Sequence, residues 1–165
     1  MDSDGLSAGG PAETPRLSGG PEQPSPAAVE LYVLIDYENV QPQDVALLQS
    51  YSARCLVFVG KTQKLSVECA NGLQPLGKQV EYVQINGSGR NALDFHIAFR
   101  LGELAAFAVD ALFCIVSRDT GFDLLIGHLN ARGIRAQRCV AISEVVQLAA
   151  FEIEHGSLVS EIVFD

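Results

Sequence analysis

The chain has 165 residues, 48% hydrophobic and 19% charged, with a formal net charge of −9. That composition suits one globular domain with a real core, and no apolar run reaches the roughly 18 residues a membrane span needs. The negative balance argues against a protein that holds nucleic acid through a basic face alone, although carboxylates serving as metal ligands would account for part of it.

Residues 1–29 are rich in Gly, Pro and Ser and nearly free of large apolar side chains, so a disordered tail is expected. The first thirty residues carry Asp2, Asp4, Glu13, Glu22 and Glu30 against Arg16 alone. No basic stretch leads into an apolar one at the N-terminus, so no secretory signal is read and a cytoplasmic location is expected. Cys55, Cys69, Cys114 and Cys139 form no C-x-x-C pair. They read as reduced thiols, mostly in apolar runs.

From Glu30 the pattern changes. Leu31–Ile35, Arg54–Val59, Val80–Ile85, Ala111–Val116 and Ile134–Val140 are short apolar or half-apolar runs that read as strands. Between and after them, Pro42–Tyr51, Leu65–Leu76, Asn91–Phe107, Phe122–Ala131 and Ser143–Phe151 read as helices. Strands alternating with helices predict an α/β fold, three layers deep, around a mostly parallel sheet of about five strands. The domain is expected over residues 30–152. Residues 153–165 read as an edge strand or as an arm toward a second copy or another protein.

In an open α/β sheet, ligands bind beyond the carboxyl ends of the strands. Asp36-Tyr-Glu38-Asn39 follows the first strand, Gly60-Lys61-Thr62 the second, Asn86 to Asp94 the third, and Ser117-Arg118-Asp119-Thr-Gly121-Phe-Asp123 the fourth. Asp36, Asp94, Asp119 and Asp123 are thereby expected at one edge. Two carboxylates about 4 Å apart repel by about 4 kcal/mol at an effective dielectric near 20. Such a cluster asks for a cation or for raised pKa values. Oxygen ligands without His or Cys suit Mg²⁺ or Mn²⁺. Singly, Asp94 and Asp123 are also what a first helical turn favours. Lys61, Arg90 and Arg118 flank this edge as candidates for holding phosphates. Asn91 is a candidate ligand to phosphate, or else a helix cap. Glu38 reads as a supporting acid and His96 as a satisfied histidine. Arg132, Arg135 and Arg138 read as a solvated basic face.

The segments L-I-D-Y-E-N-V, G-S-G-R-N-A-L-D-F-H-I-A and V-S-R-D-T-G-F-D-L-L-I resemble the PIN-like superfamily, close to its NYN branch, over Leu31 to Ala150. The resemblance implies a parallel sheet whose acidic residues coordinate Mg²⁺ or Mn²⁺ and cut RNA, leaving 5′-phosphate and 3′-hydroxyl ends. It implies catalytic and metal-binding roles for Asp36, Asp94 and Asp119, with Asn39 and Ser117 assisting as substrate contacts, and RNA as partner. NYN proteins often read S-G-D-S-D-F where this chain has Gly121 before Phe122. Asp123 is the candidate for the missing carboxylate. The alternative is a PIN-like module that binds RNA or protein without cutting.

One rival motif is Gly87-Ser-Gly89-Arg-Asn-Ala92, which fits a dinucleotide fingerprint. It follows the third strand instead of the first, and Asp94 would face the pyrophosphate. A phosphoacceptor domain is disfavoured because the third strand ends in Ile85-Asn86, with no Asp to phosphorylate.

Overall fold

The computed structural model describes residues 29–155. Five strands, β1 (Leu31–Asp36), β2 (Ala53–Val59), β3 (Val80–Gln84), β4 (Leu112–Val116) and β5 (Arg135–Cys139), form one sheet in the order β3-β2-β1-β4-β5. Every neighbouring pair is parallel. The helices are α1 (Val67–Leu73), α2 (Ala92–Phe107), α3 (Phe122–Ala131) and α4 (Ile142–His155), with 3₁₀ turns at Val45–Ser50 and Gln74–Gln79.

β1 is buried at all six positions, because helices cover both of its faces and alternation has no solvent side to serve. Leu31, Val33 and Ile35 meet α1, α4 and the first 3₁₀ turn. Tyr32 and Leu34 face the other way, onto α2 and α3. The period of two carries Asp36 to the α2 side, which is how a strand end comes to address the start of that helix. The expected α/β sandwich of three layers is the observed one.

Several boundaries moved for physical reasons. The expected helix Pro42–Tyr51 is a six-residue 3₁₀ turn whose Asp44 cap makes no side-chain hydrogen bond. A segment that short cannot offset α-helix nucleation. The expected helix Leu65–Leu76 shortens to α1, capped by Ser66 Oγ accepting the Cys69 N–H at 3.1 Å. Pro75 opens a 3₁₀ turn, and Gly77 at φ 54° turns the chain into β3. A Cβ on Gly72 would sit 2.5 Å from Val45 Cγ2, so glycine lets α1 approach the first 3₁₀ turn. α4 continues past Phe151 to His155, so residues 153–155 extend a helix. The expected tail and the rest of the C-terminal arm lie outside the described residues.

The basic stretch is a solvated face only at Arg132, which is exposed, whereas Arg135 and Arg138 are committed to acids. Arg135 pairs with Glu152 at 2.5 Å, its partner only 2% exposed, and donates to the Asp110 carbonyl. This pair pins α4 beneath β5. All four cysteines are buried and unbridged; burial pushes the Cys55 thiol up to about 12.

Candidate active site

The four parallel strand ends that carry polar segments open on one edge of the sheet. There Asp36, Asp94 and Asp119 line a single cleft of about 450 Å³ with Glu38, Asn39 and Asn91. Asp36 comes from the end of β1, Asp94 from the first turn of α2 and Asp119 from the loop after β4. Lys61 lines an adjoining cleft with Gln63 and Ser88. The two clefts share Glu38, Gly89 and Ala92, so they form one path across the edge.

Asp36 is 2% exposed and held at both oxygens. Ser117 donates its hydroxyl to Oδ2 at 2.7 Å, and the Asn39 N–H reaches Oδ1 at 3.2 Å. Ser117 Oγ in turn accepts the Asp119 N–H at 3.0 Å. Ser117 is 0% exposed and does not line the cleft, so it positions two acids from behind them. Asp119 Oδ1 accepts the Gly121 N–H at 2.7 Å. A Cβ at position 121 would lie 3.0 Å from that same oxygen, so glycine gives Asp119 room to fold back on its own loop.

Burial pushes the Asp36 carboxyl above its usual range, against the pull of Ser117 and Asn39, with Glu38 and Asp119 adding repulsion. Asp94 is raised as well, by burial first and then by Asp36, Asp119 and Glu38. The three aspartates therefore share one field.

Asp123 is placed differently. Arg138 clamps it with Nε to Oδ1 at 2.6 Å and Nη2 to Oδ2 at 3.2 Å, while Nη1 reaches the Ser117 carbonyl at 3.2 Å. The guanidinium holds the Asp123 carboxyl below its usual range, and Asp123 is not among the cleft-lining residues. The clamp ties α3 and β5 to the carbonyl of the residue that supports Asp36. Nothing in the local spelling announced it, because it joins residues on separate elements. Arg90 and Arg118 are exposed at the edge without lining either cleft. His96 is exposed, with Nδ1 2.6 Å from the Ala92 carbonyl.

Asn91 precedes α2 at φ 62°, a left-handed conformation, and its side chain makes no capping hydrogen bond. Non-glycine residues adopt that region at a cost, asparagine more readily than most. Its amide, uncommitted to the helix, lines the cleft. The sequence left a ligand contact and a cap as alternatives; it occupies the cap position without bonding as one. Sequence reasoning missed Gln63, whose side chain accepts the Gly60 N–H at 3.2 Å and donates to the Tyr37 carbonyl at 2.8 Å. That latch fixes the Lys61 loop against the residue after Asp36.

The donors in the main cleft are carboxylate and amide oxygens, with no His or Cys, which fits a hard divalent cation. Among the described residues, no three acidic, His or Cys groups are drawn together as a ready-made metal shell. Asp36 Oδ1 and Asp119 Oδ1 instead accept backbone N–H groups of their own loops. Asp36, Asp94 and Asp119 are the residues that would hold a cation.

The fold is an α/β sandwich around a parallel sheet with acids at its carboxyl edge. A family model described as PIN domain matches residues 30–139, and the chain belongs to the PIN domain family. No curated protein and no solved structure matches the chain.

Proposed function

We propose that this PIN domain, read as close to the NYN branch, is a cytoplasmic ribonuclease dependent on Mg²⁺ or Mn²⁺. The observation that carries the reading is the convergence of Asp36, Asp94 and Asp119 on one cleft from three separate elements. A bound ion would neutralise charge on the phosphate and acidify a water. The chain's own contribution is to position. Ser117 orients Asp36 and Asp119 together. Asn39 and Asn91 offer amides to phosphate oxygens within the cleft, and Lys61 supplies a positive charge in the adjoining one. Arg90 and Arg118, exposed at the rim, steer RNA toward an otherwise acidic surface. Asp123 is a ligand only if it leaves Arg138.

The test is cleavage of single-stranded and structured RNA by wild type, Asp36→Asn and Asp119→Asn, with Mn²⁺ and with EDTA. Metal-dependent products with 5′-phosphate ends, lost in both variants, are expected. Activity persisting in EDTA, or cyclic phosphate ends, refutes the metal mechanism. The second reading, a module that binds RNA or protein without cutting, is favoured by Gly121 and by the Asp123–Arg138 clamp, which leave three acids where a fourth was expected. Metal-responsive RNA binding without cleavage would establish it.

A further inference from the structure

The two clefts that meet at Glu38, Gly89 and Ala92 differ in charge. Asp36, Glu38, Asp94 and Asp119 line the first, with no basic residue in its walls. The second, about 510 Å³, has the shared Glu38 as its one acid and Lys61 as its one base. Among the described residues, Lys61 is thus the single basic side chain lining either cleft. A nucleic acid strand carries a charge at every nucleotide. The aspartates suit a phosphate that lies beside a divalent ion. The next phosphate along the edge needs a cation of its own.

The Lys61 turn is held at its backbone and free at its side chain. The Gln63 N–H donates to the Gly60 carbonyl at 3.1 Å and closes the turn. Gln63 Oε1 accepts the Gly60 N–H at 3.2 Å, and Nε2 of the same side chain donates to the Tyr37 carbonyl at 2.8 Å. Tyr37 lies between Asp36 and Glu38 in the chain, so this bond ties the turn to the acidic cleft. Gln84, the last residue of β3, donates from Nε2 to the Lys61 carbonyl at 3.2 Å. The Lys61 ammonium, by contrast, has no ion pair among the described residues, although Glu38 shares its cleft. A cation on a turn already ordered by the fold loses less freedom on binding than one on a loose loop.

The remaining walls suit the rest of a nucleotide. Ile85 and Ala92 are apolar, and Gly87, Ser88 and Gly89 bring backbone and one hydroxyl close without bulk. Apolar surface with a few placed polar groups is the usual lining of a ligand site. Resting on the reading of the acidic cleft as a place where RNA is cut, we propose that the adjoining cleft is the subsite for the next nucleotide of the strand, that Lys61 holds its phosphate, and that Gln63 and Gln84 are positioning residues acting through Lys61.

The experiment measures binding apart from cleavage. Anisotropy of a labelled single-stranded oligoribonucleotide is titrated with the full chain in EDTA and in Ca²⁺, a hard cation that fills oxygen sites, at several salt concentrations. Urea unfolding accompanies every variant. Lys61→Ala should weaken binding about tenfold, as for a hydrogen bond to a charged group. It should also flatten the slope of log affinity against log salt by about 0.7, one phosphate contact on a single strand. Gln63→Ala and Gln84→Ala should weaken binding less, and should add nothing in the Lys61→Ala background. A purely structural part would add its loss in full.

Gly87→Leu tests occupancy without altering a charge. A Cβ there meets nothing within 4 Å, and the backbone is not left-handed. The added side chain should fill the cleft and weaken binding with the urea midpoint kept. An unchanged affinity and salt slope in Lys61→Ala overturns the proposal. So do additive losses for Gln63 and Lys61, full binding by Gly87→Leu, or a wild type that binds no RNA in either condition. Cleavage assayed separately in Mn²⁺ judges the nuclease reading. A chain that binds through Lys61 and never cuts keeps the subsite and loses the nuclease. One that cuts with an unchanged KM in Lys61→Ala keeps the nuclease and loses the subsite.

Discussion

Ser117 and Asp36 stand 81 positions apart in the chain and are joined by a hydroxyl-to-carboxylate hydrogen bond of 2.7 Å. Both are buried, and the same hydroxyl oxygen accepts the Asp119 N–H. One small side chain thus sets the spacing of two acids at the ends of neighbouring strands.

Ser117→Ala should therefore act on both. It removes the donor that lowers the Asp36 pKa, so that carboxyl should rise further, visible in a carbon-13 titration. It also strands the Asp119 N–H. A buried hydrogen bond to a charged group is worth about 2 kcal/mol, and urea unfolding should record a loss of that order. An unmoved Asp36 titration would show that the contact is dispensable.

Asp36 and Asp94 have carboxyls raised above the ordinary range. The folded chain then holds those protons more tightly than the unfolded one. The associated stability is fully present below the ordinary carboxylate value and is lost as pH rises through the raised values. In EDTA, the protein should lose stability across that window, and Asp94→Asn should flatten the fall. Asp123 carries the opposite sign: its pKa is lowered by Arg138. Its contribution is present above the ordinary value and disappears as pH falls through the lowered one. The pair is half exposed on the acid's side, so salt should erode it.

Millimolar Mn²⁺ or Mg²⁺ should raise the thermal midpoint. A ligand that binds only the folded chain adds about 2.7 kcal/mol at a hundredfold excess over Kd. Asp119→Asn should abolish that gain and raise the midpoint in EDTA, since one repelling charge is gone. Identical midpoints with and without metal in wild type would dissolve the shared site.

Asp123→Asn distinguishes the clamp from a ligand role. If the Arg138 pairing persists in solution, the variant should keep most metal response and cleavage. A response as weak as that of Asp119→Asn would mean Asp123 swings into the cleft.

Asn91→Gly should relieve the left-handed backbone at φ 62° and hold or raise stability, whereas Asn91→Ala should cost about 1 kcal/mol. Both should weaken RNA binding alike, because both remove the amide. Binding that tracked stability instead would assign Asn91 a purely structural part.

How far these features were legible in the sequence depends on the distance over which they are written. The five strands were readable because each is a local apolar run, and Asp36 and Asp119 because they stand directly after two of them. Pro42–Tyr51 and Leu65–Leu76 misled because helical spacing says nothing about whether enough residues follow to sustain an α-helix. Ser117 reads as a substrate contact because its type and place suit that task; its positioning part shows only in its burial and in its bonds to Asp36 and Asp119. Arg138 on Asp123 and Gln63 on Tyr37 join residues 15 and 26 positions apart, and no local pattern encodes such pairs.

The strand order has a consequence for synthesis. β1 lies between β2 and β4, and its partner Leu112 is made 81 residues after Leu31. A chain emerging from the ribosome can pair β1 with β2 early, but the other flank of β1 stays open until β4 is released. Asp36 waits without Ser117 throughout that interval, and Asp119 does not yet exist. The acidic cleft is thus among the last things the nascent chain assembles, and a truncated product that stops before β4 lacks it altogether.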